Sequence, residues 1–271
     1  MPASPTHHPP SLRVIKLGGA VASDAEALAA VWRSLSESAG RAVIVHGGGP
    51  QATALARRLG HEPRIVAGRR VTSDLDLDVA LYTMRGAVNA RLTASASAAG
   101  LRAVGLSGAD GGLVEVVRRP PREIDGALVD FGHVGDVVGT DATLLSTLLG
   151  VGFTPVVASV CADRAGALYN VNADTVALEL AAALGVSELV LVAEAGAVYR
   201  RYPDPESRIA RITPPEIEAG VEAGWIAGGM RPKLEVAREA LSRGVRSVRI
   251  AAPAGLADPA SGTTITTASR A

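Results

Sequence analysis

Arg13-Val14-Ile15-Lys16-Leu17-Gly18-Gly19 is a largely apolar run, interrupted by Lys16, that ends in two glycines, and a helical pattern follows it over 24–38. This predicts a buried strand, a glycine turn and a helix. The unit recurs at once: 41–45 is a short β-branched strand, His46-Gly47-Gly48-Gly49-Pro50 its turn, and 51–59 is helix-periodic. Both turns then lie at the carboxyl ends of strands, the usual place for a ligand in an open α/β sheet.

Beyond these units the alternation continues. An apolar helix is predicted over 74–98, a strand over 103–106, β-hairpins in the Gly-, Pro- and Asp-rich stretch 107–141, a helix over 141–149 and a strand over 154–160. A helix over 174–184, a strand at 188–192, a proline-rich loop over 202–215, a helix over 232–243 and a strand over 245–250 follow. Strands alternating with helices predict an α/β fold with a largely parallel sheet covered on both faces.

Composition narrows the function classes. Apolar residues make up 48% of the 271 and aromatics only 3%, so the core is expected to be Ala, Val and Leu, as in a soluble globular protein. The 27 basic and 27 acidic side chains balance, which removes the broad positive field that nucleic acid or an anionic membrane would need. No run approaches the ~20 apolar residues of a membrane helix. One cysteine, Cys161, cannot form an internal disulfide and suits a reducing cytoplasm as a core residue. Residues 1–11 include Pro2, Pro5, Pro9 and Pro10 and lack the pattern of a secretory signal, so a disordered lead-in is expected there.

Of the 27 basic residues only two are lysines, Lys16 and Lys233, and both stand in glycine-rich segments. In a chain that otherwise prefers arginine, these two lysines stand out. Glycine turns into helices form nests of backbone N–H groups for anions, which suits phosphate or carboxylate at Lys16-Leu17-Gly18-Gly19 and at Gly47-Gly48-Gly49. Tyr169-Asn170-Val171-Asn172-Ala173-Asp174 places two amides and a carboxylate at a helix start, where they either cap the helix or form part of a site.

K-L-G-G at 16–19, H-G-G-G-P at 46–50, R-V-T at 70–72, G-L-S-G-A-D-G at 105–111, N-V-N-A-D at 170–174, G-G-M-R-P-K at 228–233 and G-T at 262–263 come in one order. Together they resemble the amino-acid kinase family over 12–265, and most of all its members that phosphorylate N-acetyl-L-glutamate in arginine biosynthesis. The resemblance implies a three-layer αβα sandwich with a mainly parallel sheet, a substrate-binding and dimerisation lobe over 12–185 and an ATP-binding lobe over 186–271. It implies catalysis by Lys16 and Lys233, positioned by Asp174, and substrate binding by Gly48, Gly49, Arg70, Asn170 and Asn172. It further implies nucleotide contacts at Gly18, Gly19, Glu194, Gly196, Ile226 and Gly228, ATP with Mg²⁺ but no protein metal ligands, an acylated amino acid as the other substrate, and a homodimer built on the 74–98 helix.

Two positions depart from the family's pattern. Ser73 follows R-V-T where aspartate is usual, and Ala193-Glu194-Ala195-Gly196 stands in place of (S/T)-D-x-x-G. Arg-Tyr-Pro-Asp at 201–204 is similar to kinases of carrier-bound aminoadipate. Other readings are therefore a kinase of N-succinylglutamate or of an N-acyl or carrier-bound aminoadipate, and a catalytically silent amino-acid sensor of the same fold.

Overall fold

The computed structural model describes residues 12–38 and 41–267, so the lead-in expected over 1–11 lies outside the described residues. Eight strands form the central sheet: β1 (Leu12–Leu17), β2 (Arg41–His46), β3 (Ala103–Ser107), β4 (Thr154–Ala158), β5 (Glu188–Val192), β6 (Arg211–Ile212), β7 (Ser247–Ala251) and β8 (Thr263–Ile265). Their spatial order is β6-β8-β7-β5-β1-β2-β4-β3, and every pairing is parallel except β7 with β8. From β1 the chain goes to β2 on one side and later to β5 on the other. β1 therefore lies at the switch point, where a crevice opens beyond the strand ends.

Strand alternation sorts the two faces. Val14 of β1 with Val43 and Val45 of β2 join one core, while Ile15, Leu17, Ala42 and Ile44 join the other. The first core is covered by α5 (Thr143–Gly150), α6 (Ala173–Ala183), α7 (Pro214–Glu222) and α8 (Met230–Ser242). The second is covered by α1 (Ala25–Ser36) and α4 (Asn89–Ala98). α2 (Gly49–Arg58) and α3 (Asp74–Ala80) make a smaller cluster with Ala158 and Val160 near the end of β4. The result is the expected three-layer αβα sandwich. Cys161 is fully buried, and burial pushes its thiol up to about 12, as suits an inert core residue.

One stretch differs from the expectation. Between α3 and α4 the helix predicted as one α-helix continues as a π-helix over Leu81–Val88. The Thr83 hydroxyl donates to the Val79 carbonyl at 2.6 Å and so competes for the acceptor that the α-helical ladder would use. The 107–141 stretch forms antiparallel pairs, Val114–Arg118 with Gly135–Thr140 and Arg122–Ile124 with Ala127–Val129. It carries its own small core of Val129, Phe131 and Val134.

Candidate active site

Because side chains alternate along β1, Lys16 faces the same side as Val14, toward α6. Its Nζ lies 2.9 Å from Asp174 Oδ1, and both side chains are close to nine-tenths buried. Asp174 is held there by a helix start: the Asn172 side chain caps α6 by accepting from the Asp174 backbone N–H at 2.8 Å, and a carboxylate in the first turn suits the helix dipole. Asp174 Oδ1 meets Lys16 as an ion pair and has no other hydrogen-bond partner among the described residues. Lys233, near the start of α8, is the other cation. Burial lowers its pKa below the usual lysine value of 10.5, with Asp174 opposing the shift and Lys16 adding to it. One carboxylate is therefore shared electrostatically by the only two lysines of the chain.

The two glycine turns are neighbours because β1 and β2 pair in register up to Leu17 and His46. They touch closely. A Cβ on Gly19 would lie 2.8 Å from Pro50 Cδ, and one on Gly48 2.9 Å from Met84 Cγ, so neither position has room for a side chain. Below them opens a cavity of about 360 Å³ whose walls include Lys16, Gly48, Gly49, Arg70, Asn170 and Asn172. All five residues expected to bind substrate are thus together with Lys16.

Arg70 is nearly buried and its Nη2 donates to Thr53 Oγ1 at 2.6 Å and to the Gly49 carbonyl at 3.3 Å. Its Nη1 has no hydrogen bond and faces Asp76 Oδ1 at 3.5 Å. Burial alone would raise the Asp76 carboxyl, but the Ser73 hydroxyl and backbone N–H and the His61 ring together hold it below the usual range. Ser73, the departure from R-V-T-D, therefore supplies a capping box to α3 and keeps Asp76 charged beside Arg70. Asn170 is oriented by the bond from its Nδ2 to Thr72 Oγ1 at 3.3 Å.

Sequence reasoning missed Arg119. It is buried, lines the same cavity, donates to Asp136 Oδ1 from Nε at 2.8 Å and Nη2 at 2.6 Å, and stands 5.8 Å from the centre of the Phe131 ring. In a chain this rich in arginine, nothing local marks one of them.

A second cavity, of about 610 Å³, has Lys233 in its wall. Ala193, Glu194, Ala195, Tyr199, Trp225, Ile226 and Lys233 are among its walls. Of the residues expected to bind nucleotide, Glu194 and Ile226 line this cavity, and Gly196 lines an adjoining depression with Glu194. Gly19 belongs to the first cavity. Gly18 and Gly228 are in the lining of neither: the Gly18 N–H closes the sheet by donating to the Val192 carbonyl at 3.2 Å, and Gly228 has a φ of +55° in the turn before α8. Among the described residues no group of three or more His, Cys, Asp or Glu side chains could hold a metal ion.

The sequence pattern described as the Amino acid kinase family matches residues 11–252. The chain belongs to the amino acid kinase family. Within it, an acetylglutamate kinase of Anaeromyxobacter dehalogenans is 48% identical over 242 residues, which is 88% of this chain and 90% of that one. An acetylglutamate kinase of Methanopyrus kandleri is 42% identical over 245 residues, 90% of this chain and 96% of that one. Among solved structures, the N-acetylglutamate synthase of Neisseria gonorrhoeae, complexed with coenzyme A and N-acetyl-glutamate, superposes with a TM-score of 0.79 at 23% identity. The match covers 96% of this amino acid kinase chain and 60% of that longer chain, and it establishes the fold.

Proposed function

We propose that this chain transfers the γ-phosphoryl group of ATP to the side-chain carboxylate of N-acetyl-L-glutamate, giving an acyl phosphate and ADP, a step of arginine biosynthesis. The observation that carries the reading is the Lys16–Asp174 ion pair at 2.9 Å, with Lys233 coupled to both, between one cavity lined by anion-binding groups and another lined by apolar walls. Relatives named acetylglutamate kinase, alike over nearly the whole of both chains, support the choice of substrate. N-succinylglutamate and aminoadipate derivatives have no such support, and the assembled lysine pair speaks for catalysis over a silent sensor.

In this reading Arg70 and Asn170 hold the α-carboxylate in the first cavity and leave the side-chain carboxylate beside the N–H groups of Gly48 and Gly49. A carboxylate oxygen forms a bond to the γ-phosphorus in line with the bond to the β-phosphate oxygen, which breaks, and no proton is transferred. Negative charge spreads over the equatorial oxygens in flight, and Lys16 and Lys233 offset it from two sides as preorganised point charges. Asp174 holds Lys16 through their ion pair and opposes the lowering of the Lys233 pKa. Residues 12–185 act as the substrate lobe and 186–271 as the nucleotide lobe, with Ile226 and Trp225 as walls for the base. Mg²⁺ takes most of its ligands from phosphates and water, so it neutralises phosphate charge as part of the nucleotide complex without a protein cage. Exposed Leu75 and Tyr82 on the 74–98 helical rod support a homodimer through that surface. No helix among the described residues is long and apolar enough to cross a membrane, which fits a cytoplasmic enzyme.

The deciding experiment incubates the purified chain with ATP, Mg²⁺ and N-acetyl-L-glutamate and traps the acyl phosphate with hydroxylamine. N-succinylglutamate and N-acetyl-aminoadipate are run beside it. Hydroxamate with N-acetyl-L-glutamate at the highest kcat/KM is expected. Preference for another member of the panel, or no hydroxamate with any, overturns the reading.

A further inference from the structure

Beneath the second glycine turn lies a polar chain that the mechanism above does not use. His46 is fully buried at the end of β2, where its carbonyl accepts from the Ser159 N–H at 3.1 Å. Its ring Nδ1 lies 2.8 Å from the carbonyl oxygen of Gly47, the next residue. Its Nε2 lies 2.9 Å from Nδ2 of Asn89, the residue at which the π-helical segment gives way to α4.

Which ring nitrogen carries the proton follows from Asn89. The Asn89 Nδ2 is 2.8 Å from the Val156 carbonyl oxygen and 3.2 Å from that of Leu106, while Arg85 Nη1 lies 3.4 Å from Asn89 Oδ1. Turning the amide over would set its oxygen against two carbonyls and its NH₂ against a guanidinium. Asn89 therefore presents a donor to His46 Nε2, which must accept, and the proton of a neutral ring sits on Nδ1. A charged ring would oppose an N–H to the Asn89 NH₂. Burial agrees, lowering the His46 pKa to about 4, with Arg85 as the cation that faces it from the π-helix.

An N–H donated to the Gly47 carbonyl acts on the next residue too. The peptide unit is planar and trans, so the Gly47 C=O and the Gly48 N–H point to opposite sides of one rigid plate. Fixing the carbonyl toward the buried ring turns the Gly48 N–H the other way, and Gly48 is a wall of the substrate cavity. On the remaining side Met84 of the π-helix fills the space under Gly48.

We propose that His46 is a positioning residue for phosphoryl transfer: its neutral Nδ1–H holds the Gly47 carbonyl, thereby aiming the Gly48 N–H into the cavity, and Asn89 fixes the ring that does so. This rests on the functional reading above for the role of the cavity. The tautomer itself does not.

Two measurements test the proposal. The first is nitrogen NMR of the unliganded wild-type chain carrying ¹⁵N-histidine: His46 is expected to show a protonated Nδ1 and an unprotonated Nε2 unchanged between pH 6 and pH 8. An Nε2–H ring or a charged ring in that range overturns the proposal whatever the substrate is. The second compares His46→Asn, whose amide NH₂ can stand where Nδ1–H stood, with His46→Gln, whose donor reaches only the Nε2 position, and with His46→Phe. Because misplacing a reacting contact by about 1 Å costs ~10²-fold, His46→Phe and His46→Gln are expected to lose about that factor in kcat with the ATP KM unchanged. His46→Asn should recover to within about threefold of wild type at equal Tm. Equal damage in all three variants, or full kcat in His46→Phe, overturns the proposal. The ratios can be read on any carboxylate acceptor the wild type accepts, so a wrong choice of substrate leaves this test standing.

Discussion

The two cavities, one with Lys16 in its wall and the other with Lys233, are built on different principles. The first is a set of donors already held by neighbours: Arg70 by Thr53 and the Gly49 carbonyl, Asn170 by Thr72, Arg119 by Asp136. The second is mainly Ala193, Ala195, Ala197, Val198 and Ile226 with three aromatic rings, and Lys233 is its one basic residue. A carboxylate must give up its hydration and is bound only where donors are fixed beforehand, so few residue types serve at each position. A flat ring needs an apolar slot of the right width, and many sequences build one. This explains why Ala193-Glu194-Ala195-Gly196 can depart from the family's loop while the lysines, Arg70 and Asn170 keep its pattern.

The sharpest way to break the comparison is at the two lysines. Lys16→Arg and Lys233→Arg should each lower kcat by ~10²-fold or more with little change in Tm, because a broad planar fork cannot replace a preorganised point charge. Full turnover in either variant would remove the distinction between lysine and arginine. The burial that lowers the Lys233 pKa also sets a sign: activity should decline as pH rises, and begin to do so below the 10.5 of an ordinary lysine. A pH profile of kcat flat through that value would contradict it.

Arg70→Ala comes next. Loss of one charge-assisted bond of about 1.5–3 kcal/mol should raise the KM for the acylated amino acid ~10-fold or more, with the ATP KM unchanged. A rise in the ATP KM alone would exchange the assignments of the two cavities. Trp225→Leu should do the reverse more weakly. Losing an aromatic face costs about 0.5–1.5 kcal/mol, so the ATP KM rises several-fold and the acceptor KM stays. An unchanged ATP KM would put the base elsewhere.

The smallest effect concerns the support of the first cavity. Asp76 is held below the ordinary carboxylate value of 3.8, so it contributes stability above that value that is lost as pH falls through its folded pKa. Asp76→Asn should lower stability at neutral pH by about 1–2 kcal/mol and flatten the loss of stability below pH 4. Denaturant melts at pH 3 and pH 7 read this directly. A variant as pH-dependent as wild type would remove Asp76 from the framework of Arg70.

Much of the fold was legible because its signals are local. The 13–19 run, an apolar strand followed by glycines, repeats with a helix between, and that rhythm specifies a parallel sheet with its turns on one edge. The lysine pair was legible because lysine is so scarce here. Less legible was whatever depends on a competitor at close range. The π-helix over Leu81–Val88 leaves the apolar spacing almost unchanged, and only the Thr83 hydroxyl on the Val79 carbonyl accounts for it. Gly18 and Gly228 belong to the motif as glycines but line neither cavity, since one closes the sheet and the other turns the chain into α8.

By itself, then, the sequence determined the order of strands and helices, the positions of both glycine turns and the residue types able to offset phosphoryl charge, because these follow from periodicity, backbone freedom and side-chain chemistry near each residue. Only the tertiary structure decided that Asp174 comes within 2.9 Å of Lys16 across 158 positions, that Arg119 joins the wall of the first cavity, and that Asn89 meets the His46 ring. Those depend on which faces the sheet brings together. Hydrogen bonds and ion pairs act over about 3 Å, a distance along which the one-dimensional chain carries no record of its distant neighbours.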